Sequence, residues 1–321
     1  VTIDLRLVQQ FNDFPDQPAS YELTLKSLAA GNYRVESERA DFHEHAYWKE
    51  TTSGTYDPVI KEGWGASSFQ RDVSGKVSPV SQFYDAHLPT DQLALGSHRF
   101  FGPQPLSDFI SEWRYSAMYP NTLREPSSPN KDNLLDENGA NWASVIKALR
   151  RTNKGRLALT RVNEAMRAVI PSFLEVTVNT VGSYLVPRFH FEAKGQTLSY
   201  DPVQLSDGTL RIYGILLALY QVPAPKLLVI EEPEQTVHPG VLSVLADAFR
   251  EVSETTQILV TSHSPQFVDL FQPEEVRVAT VENGETRIAP VKAAQIQAVK
   301  QHLMSLGEFM LAEGLAPDTA P

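Results

Sequence analysis

The hydrophobic period changes along the chain. Near the start, VTIDLRLV, YELTLKSL and YRVESERADF alternate apolar and polar residues as half-buried strands do, which predicts an antiparallel β lobe over residues 1–81. The chain opens inside such a strand, so this lobe is expected to be incomplete at its front. From Tyr47 to Ser81 the residues are rich in Gly, Ser and Asp with no lasting period, which predicts loops and one hairpin. Over residues 82–174, LSDFISEWRYSAMY and NWASVIKALRR place apolar residues three and four apart and predict a helical subdomain. Between them, PNTLREPSSPNKDNLLDENG is a connector whose prolines block helix continuation. Strand character returns with LEVTVNTV and YLVPRFHFEA. Within residues 175–321 there then follow a helix from Thr209 to Tyr220, the strand LLVI, a helix from Gly240 to Val252, the strand QILVT and a helix starting near Pro265. That rhythm predicts an α/β lobe with parallel strands covered on both faces.

Composition narrows the class. With 42% hydrophobic and 21% charged residues, 321 residues are enough for one large or two modest cores. No apolar run approaches the roughly 18 to 20 residues of a membrane-spanning helix, and 0 Cys excludes disulfides and thiolate chemistry, so a cytoplasmic protein without a membrane partner is expected. A formal net charge of −11 argues against a surface devoted to wrapping nucleic acid, although a local basic patch would still permit DNA as a partner.

Three short segments carry the chemistry. In KLLVIEEPEQTVHPG, the apolar run Leu227–Ile230 ends in Glu231 and Glu232, and ligands of open α/β sheets bind at that end of a strand. A first carboxylate there can hold a hydrated magnesium ion and a second can deprotonate a water; the alternative is a strand end with two solvated acids. In QILVTSHSP a second apolar strand ends at His263, which can meet a phosphate or the attacking water, or serve only as a structural hydrogen-bonder. In LSDGTLRIYGILLALY, Ser206, Asp207 and Gly208 lead into a helix that is apolar nearly all round. Its first N–H groups favour anions, or the segment is an ordinary N-cap on a buried helix.

In this order, LSDGTLR, LLVIEEPEQTVHP and ILVTSHSP resemble the signature, Walker B with D-loop, and switch-histidine series of the ABC-type ATPase superfamily, in its RecF/SMC-like branch of compact AAA-type ATPases. The resemblance covers Leu205 to Asp269, and extends more loosely to PNTLREP, LLDENGANWASVIKAL and LGEFMLAEGL. It implies a P-loop NTPase-like ABC ATPase head with an inserted helical subdomain, using ATP and Mg2+. Glu231 is then the magnesium-holding acid, acting through water, and Glu232 the general base. His263 is the switch, Glu234 through His238 form a D-loop at a dimer interface, and Ser206, Asp207 and Gly208 face nucleotide held by an opposite head. A homodimer closing around ATP and a separate effector or nuclease are the partners implied.

Two features depart from the family pattern. Glu231 stands where most ABC-type proteins have Asp, which moves the carboxylate outward by about 1.5 Å. No Gly-x-x-x-x-Gly-Lys-Ser/Thr loop occurs, since Gly75-Lys76 lacks its frame. The expectation is that the loop precedes Val1, and that this chain alone hydrolyses ATP poorly or not at all. The alternative function is an inactive dimerisation module of the same fold. Weaker signals are His43 and His45, a conceivable metal pair, and the cations Arg150, Arg151, Lys154, Arg156 and Arg161, a nucleic-acid patch or a solvated helical face. Arg124 is read as a sensor of subdomain position, a cap or a salt-bridge partner.

Overall fold

A computed structural model describes residues 110–129, 134–282 and 285–318, preceded by eight strands between Thr2 and His87. The chain divides into two compact units, residues 1–111 with 279–288, and residues 112–278 with 289–321.

The first unit has the antiparallel lobe that its alternating pattern predicts. Its strands are β1 (Thr2–Phe11), β2 (Phe14–Ser27), β3 (Tyr33–His43), β4 (Ala46–Glu50), β5 (Tyr56–Ile60), β6 (Ala66–Arg71), β7 (Lys76–Pro79) and β8 (Ala86–His87). Six of them form one sheet in the order β1-β2-β3-β6-β7-β8, and β4 and β5 pair separately. The stretch from Tyr47 to Ser81 therefore holds two hairpins where its composition predicts one.

The second unit begins with β9 (Trp113–Ser116), α1 (Pro120–Arg124), α2 (Trp142–Leu149) and α3 (Asn153–Val169). A meander follows, β10 (Phe173–Val181), β11 (Tyr184–Ala193) and β12 (Gln196–Tyr200), and then α4 (Asp207–Leu219), β13 (Leu227–Glu231), α5 (Leu242–Ser253), β14 (Gln257–Thr261) and α6 (Pro265–Val268). The hairpin of β15 (Arg277–Glu282) and β16 (Glu285–Pro290) belongs mostly to the first unit, and α7 (Ala293–Lys300) and α8 (Leu306–Ala312) follow it in the second. Asp269 fixes this last segment to α6, accepting from the Gly307 N–H at 2.6 Å and the Ser305 hydroxyl at 2.9 Å. No helix among the described residues is long and apolar enough to cross a membrane.

The sheet that matters here has the order β14-β13-β9, parallel throughout. Its β9 corrects the helical reading of LSDFISEWRYSAMY: the apolar spacing there is three and four, yet Trp113–Ser116 pairs with Leu227–Ile230. Tertiary pairing outweighs local periodicity, and Trp and Tyr suit a strand as well as a helix.

The core of this unit forms where α2, β10, β11 and α4 meet. Trp142, Phe173, Phe189 and Tyr213 are all almost fully buried, and the Tyr213 ring lies 5.1 Å from Phe189 and 5.7 Å from Trp142 in edge arrangements. Such pairs add stability beyond the area they bury. Burial also pushes the Tyr213 phenol far up from its ordinary range, so it stays neutral. Pro187 is tolerated in the middle strand because β12 pairs with β11 only from Phe189 onward.

The turn between α2 and α3 is tight. Thr152 caps α3 by accepting from the Gly155 N–H at 3.0 Å, and a Cβ on Gly155 would stand 2.2 Å from the Leu149 carbonyl oxygen. Gly155→Ala should therefore cost about 1–3 kcal/mol, lowering Tm by about 2–4 °C per kcal/mol in a domain of this size; thermal unfolding followed by circular dichroism checks this.

Candidate functional site

Leu228 and Ile230 are buried, which fixes β13 in the core and delivers Glu231 and Glu232 at its C-terminal end. Glu231 lies level with Thr261 of β14. At Glu232 the backbone turns into the left-handed region, φ +40°, and its N–H donates to the Thr261 carbonyl at 3.0 Å and to the Thr261 hydroxyl at 3.3 Å. Thr236, four residues on, is also left-handed at φ +62°. Each such residue costs on the order of 1–3 kcal/mol and persists only where its surroundings impose it. The Gln235 amide donates to one oxygen of the Glu232 carboxylate, and the other oxygen lies 3.7 Å from Nε2 of His263. The structure thus brings Glu232 and His263 together, with Glu231 preceding on the same strand end.

The imposing group is Arg211. It is only 6% exposed, and its guanidinium donates to the carbonyls of Met118 at 3.0 Å, Glu231 at 3.1 Å and Glu232 at 3.0 Å. Burial lowers its pKa from the usual arginine value, and the carboxylate of Glu234 opposes that shift. One cation on α4 therefore ties the exits of β9 and β13 together. The sequence offered a signal, a lone cation inside an apolar helix, but LSDGTLR gave it no role.

A second contributor is Tyr115 on β9. The Glu231 carboxylate beside its hydroxyl, with some burial, pushes the phenol up to about 12. Reading WRYS as helix hid this residue, because only the strand sets it beside β13.

The segment before α4 serves the chain itself. Ser206 caps the helix, accepting from the Thr209 N–H at 3.2 Å. Asp207 pairs with Arg124 at 2.5 Å, and Arg124 also donates to the Leu205 carbonyl at 3.0 Å and to Asn121 at 3.1 Å, which makes it a salt-bridge partner that holds α1 to the start of α4. Gly208 lies against the loop after β13: a Cβ there would stand 2.7 Å from the Thr236 carbonyl oxygen. The close approach that glycine permits is used by the protein's own backbone.

Within that loop, Glu234 points inward. One of its oxygens accepts from the Ser262 hydroxyl at 2.6 Å and from the His263 N–H at 3.1 Å, and the other is buried. His238 accepts from the Gly240 N–H at 3.1 Å and caps the turn that opens α5. The basic cluster is largely consumed internally: Arg150 pairs with Glu175 at 2.7 Å, Arg161 with Glu251 at 3.3 Å, and Arg156 donates to Asn153 and to the Arg150 carbonyl. His45 and the side chain of His43 lie outside the described residues.

The donor set fits a magnesium ion. Glu231 presents a hard, exposed carboxylate, which suits an ion that keeps most of its waters and takes one or two protein oxygens.

This parallel sheet, with paired carboxylates leaving one strand and a histidine leaving the next, lies within an AAA domain. The chain belongs to the AAA_21 family, described as "AAA domain, putative AbiEii toxin, Type IV TA system", whose model matches residues 96–269, more than half of its length. Among solved structures it is similar to the SMC head domain from Thermotoga maritima (11% identity, 88% of this chain and 78% of that one, TM-score 0.36). It is also similar to an Smc head bound to the C-winged helix domain of ScpA (7%, 87% and 76%, TM-score 0.44). A third is the Smc head domain with an extended coiled coil bound to the C-terminal domain of ScpA derived from Pyrococcus furiosus (6%, 92% and 82%, TM-score 0.42). Comparison with curated proteins gives no match.

Arg211→Met should leave three carbonyls without their donor and cost about 3 kcal/mol or more, read from the midpoint of denaturant unfolding. Tyr115 gives a pH test. Its neutral form is the favoured one, so its place beside Glu231 contributes stability below pH 10 and loses it as the pH rises through about 12. At pH 11 an ordinary tyrosine is about nine-tenths ionised; Tyr115 should remain mostly neutral in the ultraviolet difference spectrum against Tyr115→Phe, and Glu231→Gln should restore ordinary titration.

Proposed function

We infer that this chain is the hydrolytic part of an ATP-driven head, in which two copies close around ATP and their opening moves an effector. The observation that carries this is the trio at the sheet edge: Glu232 turned toward His263 at 3.7 Å, with Glu231 beside it on the same strand end. Glu232 takes the proton of the attacking water as general base. Gln235 donates to its second oxygen and leaves the first facing His263. His263 senses the terminal phosphate, with an imidazole that is 89% exposed and so open to a ligand. Glu231 holds the magnesium ion through water, and that ion when bound neutralises charge on the β- and γ-phosphate oxygens. Ser206, Asp207 and Gly208 at the start of α4 present N–H groups to nucleotide bound by the opposite copy, and the loop from Glu234 to His238 lies at the interface between copies. The effector is a separate polypeptide such as a nuclease or toxin, and DNA is a further partner.

A second reading, an inactive dimerisation module, is favoured by one observation: the 321 residues hold no glycine-rich Lys-Ser/Thr loop for the β- and γ-phosphates. Titration of the protein with ATP separates the two, since the module would show no saturable binding. In that protein Glu232→Gln should slow ATP turnover by about 10²-fold or more and accumulate an ATP-bound dimer in light scattering. Unchanged steady-state hydrolysis would remove Glu232 as the base.

A further inference from the structure

His263 raises a question of placement. Its imidazole is 89% exposed, so packing does not aim it, yet its Nε2 stands 3.7 Å from Glu232. What is fixed is its main chain. The His263 N–H donates at 3.1 Å to Glu234, and the same carboxylate oxygen accepts the Ser262 hydroxyl at 2.6 Å. Ser262 in turn accepts from the Ser264 N–H at 3.0 Å, and Ser264 accepts from the Phe267 N–H at 3.2 Å to start α6. One carboxylate thus organises the three residues, Ser262 to Ser264, that join β14 to α6. It does so from a loop rooted elsewhere, because Glu234 follows β13 in the turn where Glu232 is held left-handed at φ +40°.

We propose that Glu234 is a positioning residue for His263: by clamping the Ser262–His263 backbone to the loop that carries Glu232, it sets the distance between the histidine and the base. This deepens the reading above and rests on it, and it reassigns Glu234 from a contact across the dimer interface to a contact within one chain. The physical basis is the strength of hydrogen bonds to a charged acceptor, together with the burial of the second Glu234 oxygen, which leaves that carboxylate little freedom to swing outward. Glu232 and Glu234 are two residues apart, so a displacement of either end of this loop reaches the ring and the main chain of the same histidine.

The test begins without nucleotide. Residue-resolved amide exchange by NMR on the full chain should show the His263 and Ser264 amides exchanging at least about tenfold faster in Glu234→Ala. Glu234→Gln, whose amide oxygen can still accept both donors, should stay within about threefold of the wild type. Unchanged protection in Glu234→Ala would overturn the proposal. Should that variant not fold, Ser262→Ala serves: the Ser264 amide should lose its protection while that of His263 persists, and protection of Ser264 that survives would overturn the clamp. In the hydrolysing protein, Glu234→Ala should lower kcat by about tenfold with KM little changed, and should add almost nothing to His263→Ala. Independent, additive effects, or loss of ATP-dependent dimerisation with kcat retained, would return Glu234 to the interface. A wild-type protein that never hydrolyses ATP would defeat the functional reading above, and the exchange result would still decide whether the clamp exists.

Discussion

The geometry of the site depends on one buried cation. Arg211 reaches from the middle of the structure to three carbonyls at the ends of two parallel strands, and strand ends are where a sheet otherwise has unpaired acceptors. A guanidinium is suited to this because it carries five donors in a fixed plane and stays charged even when burial works against it. Those carbonyls and the Glu234 carboxylate nearby offset part of the cost of burying it, while its Nε is buried without a hydrogen-bond partner. With the exits of β9 and β13 held, Tyr115 can reach Glu231 and the backbone of Glu232 can turn back on itself.

The chain showed its α/β lobe plainly because the strands LLVI and QILVT are short apolar runs and the helix after Gly208 is apolar all round; their bounds agree with the structure to within a residue or two. The acids and the histidine were legible for the same reason, since each falls within the first three polar residues after such a run. The strand Trp113–Ser116 was not legible. Its four residues sit inside LSDFISEWRYSAMY, whose apolar spacing is helical, and a partner more than a hundred positions away makes them a strand. Tyr115 was lost with it. Glu234 was visible as a letter in a motif, but the direction of its side chain is set by the left-handed turn at Glu232, which no local pattern announces.

Several motif residues carry duties inside the chain. Ser206 and His238 cap helical turns, Asp207 holds Arg124, and Gly208 makes room for Thr236. The Ser206 cap itself uses one of the first N–H groups of α4, that of Thr209. The start of α4 also packs closely on the loop after β13, since a Cβ at Gly208 would stand 2.7 Å from the Thr236 carbonyl oxygen.

The exposed ring on a clamped backbone at His263 also has an entropic consequence. Ordering a whole loop around a ligand costs roughly 1–2 kcal/mol for each residue immobilised, whereas His263 has its main chain already fixed and must freeze only two side-chain torsions, about 0.5–1.5 kcal/mol. Whatever group the imidazole meets is therefore recognised at small entropic cost, and it can be released as readily once that group leaves.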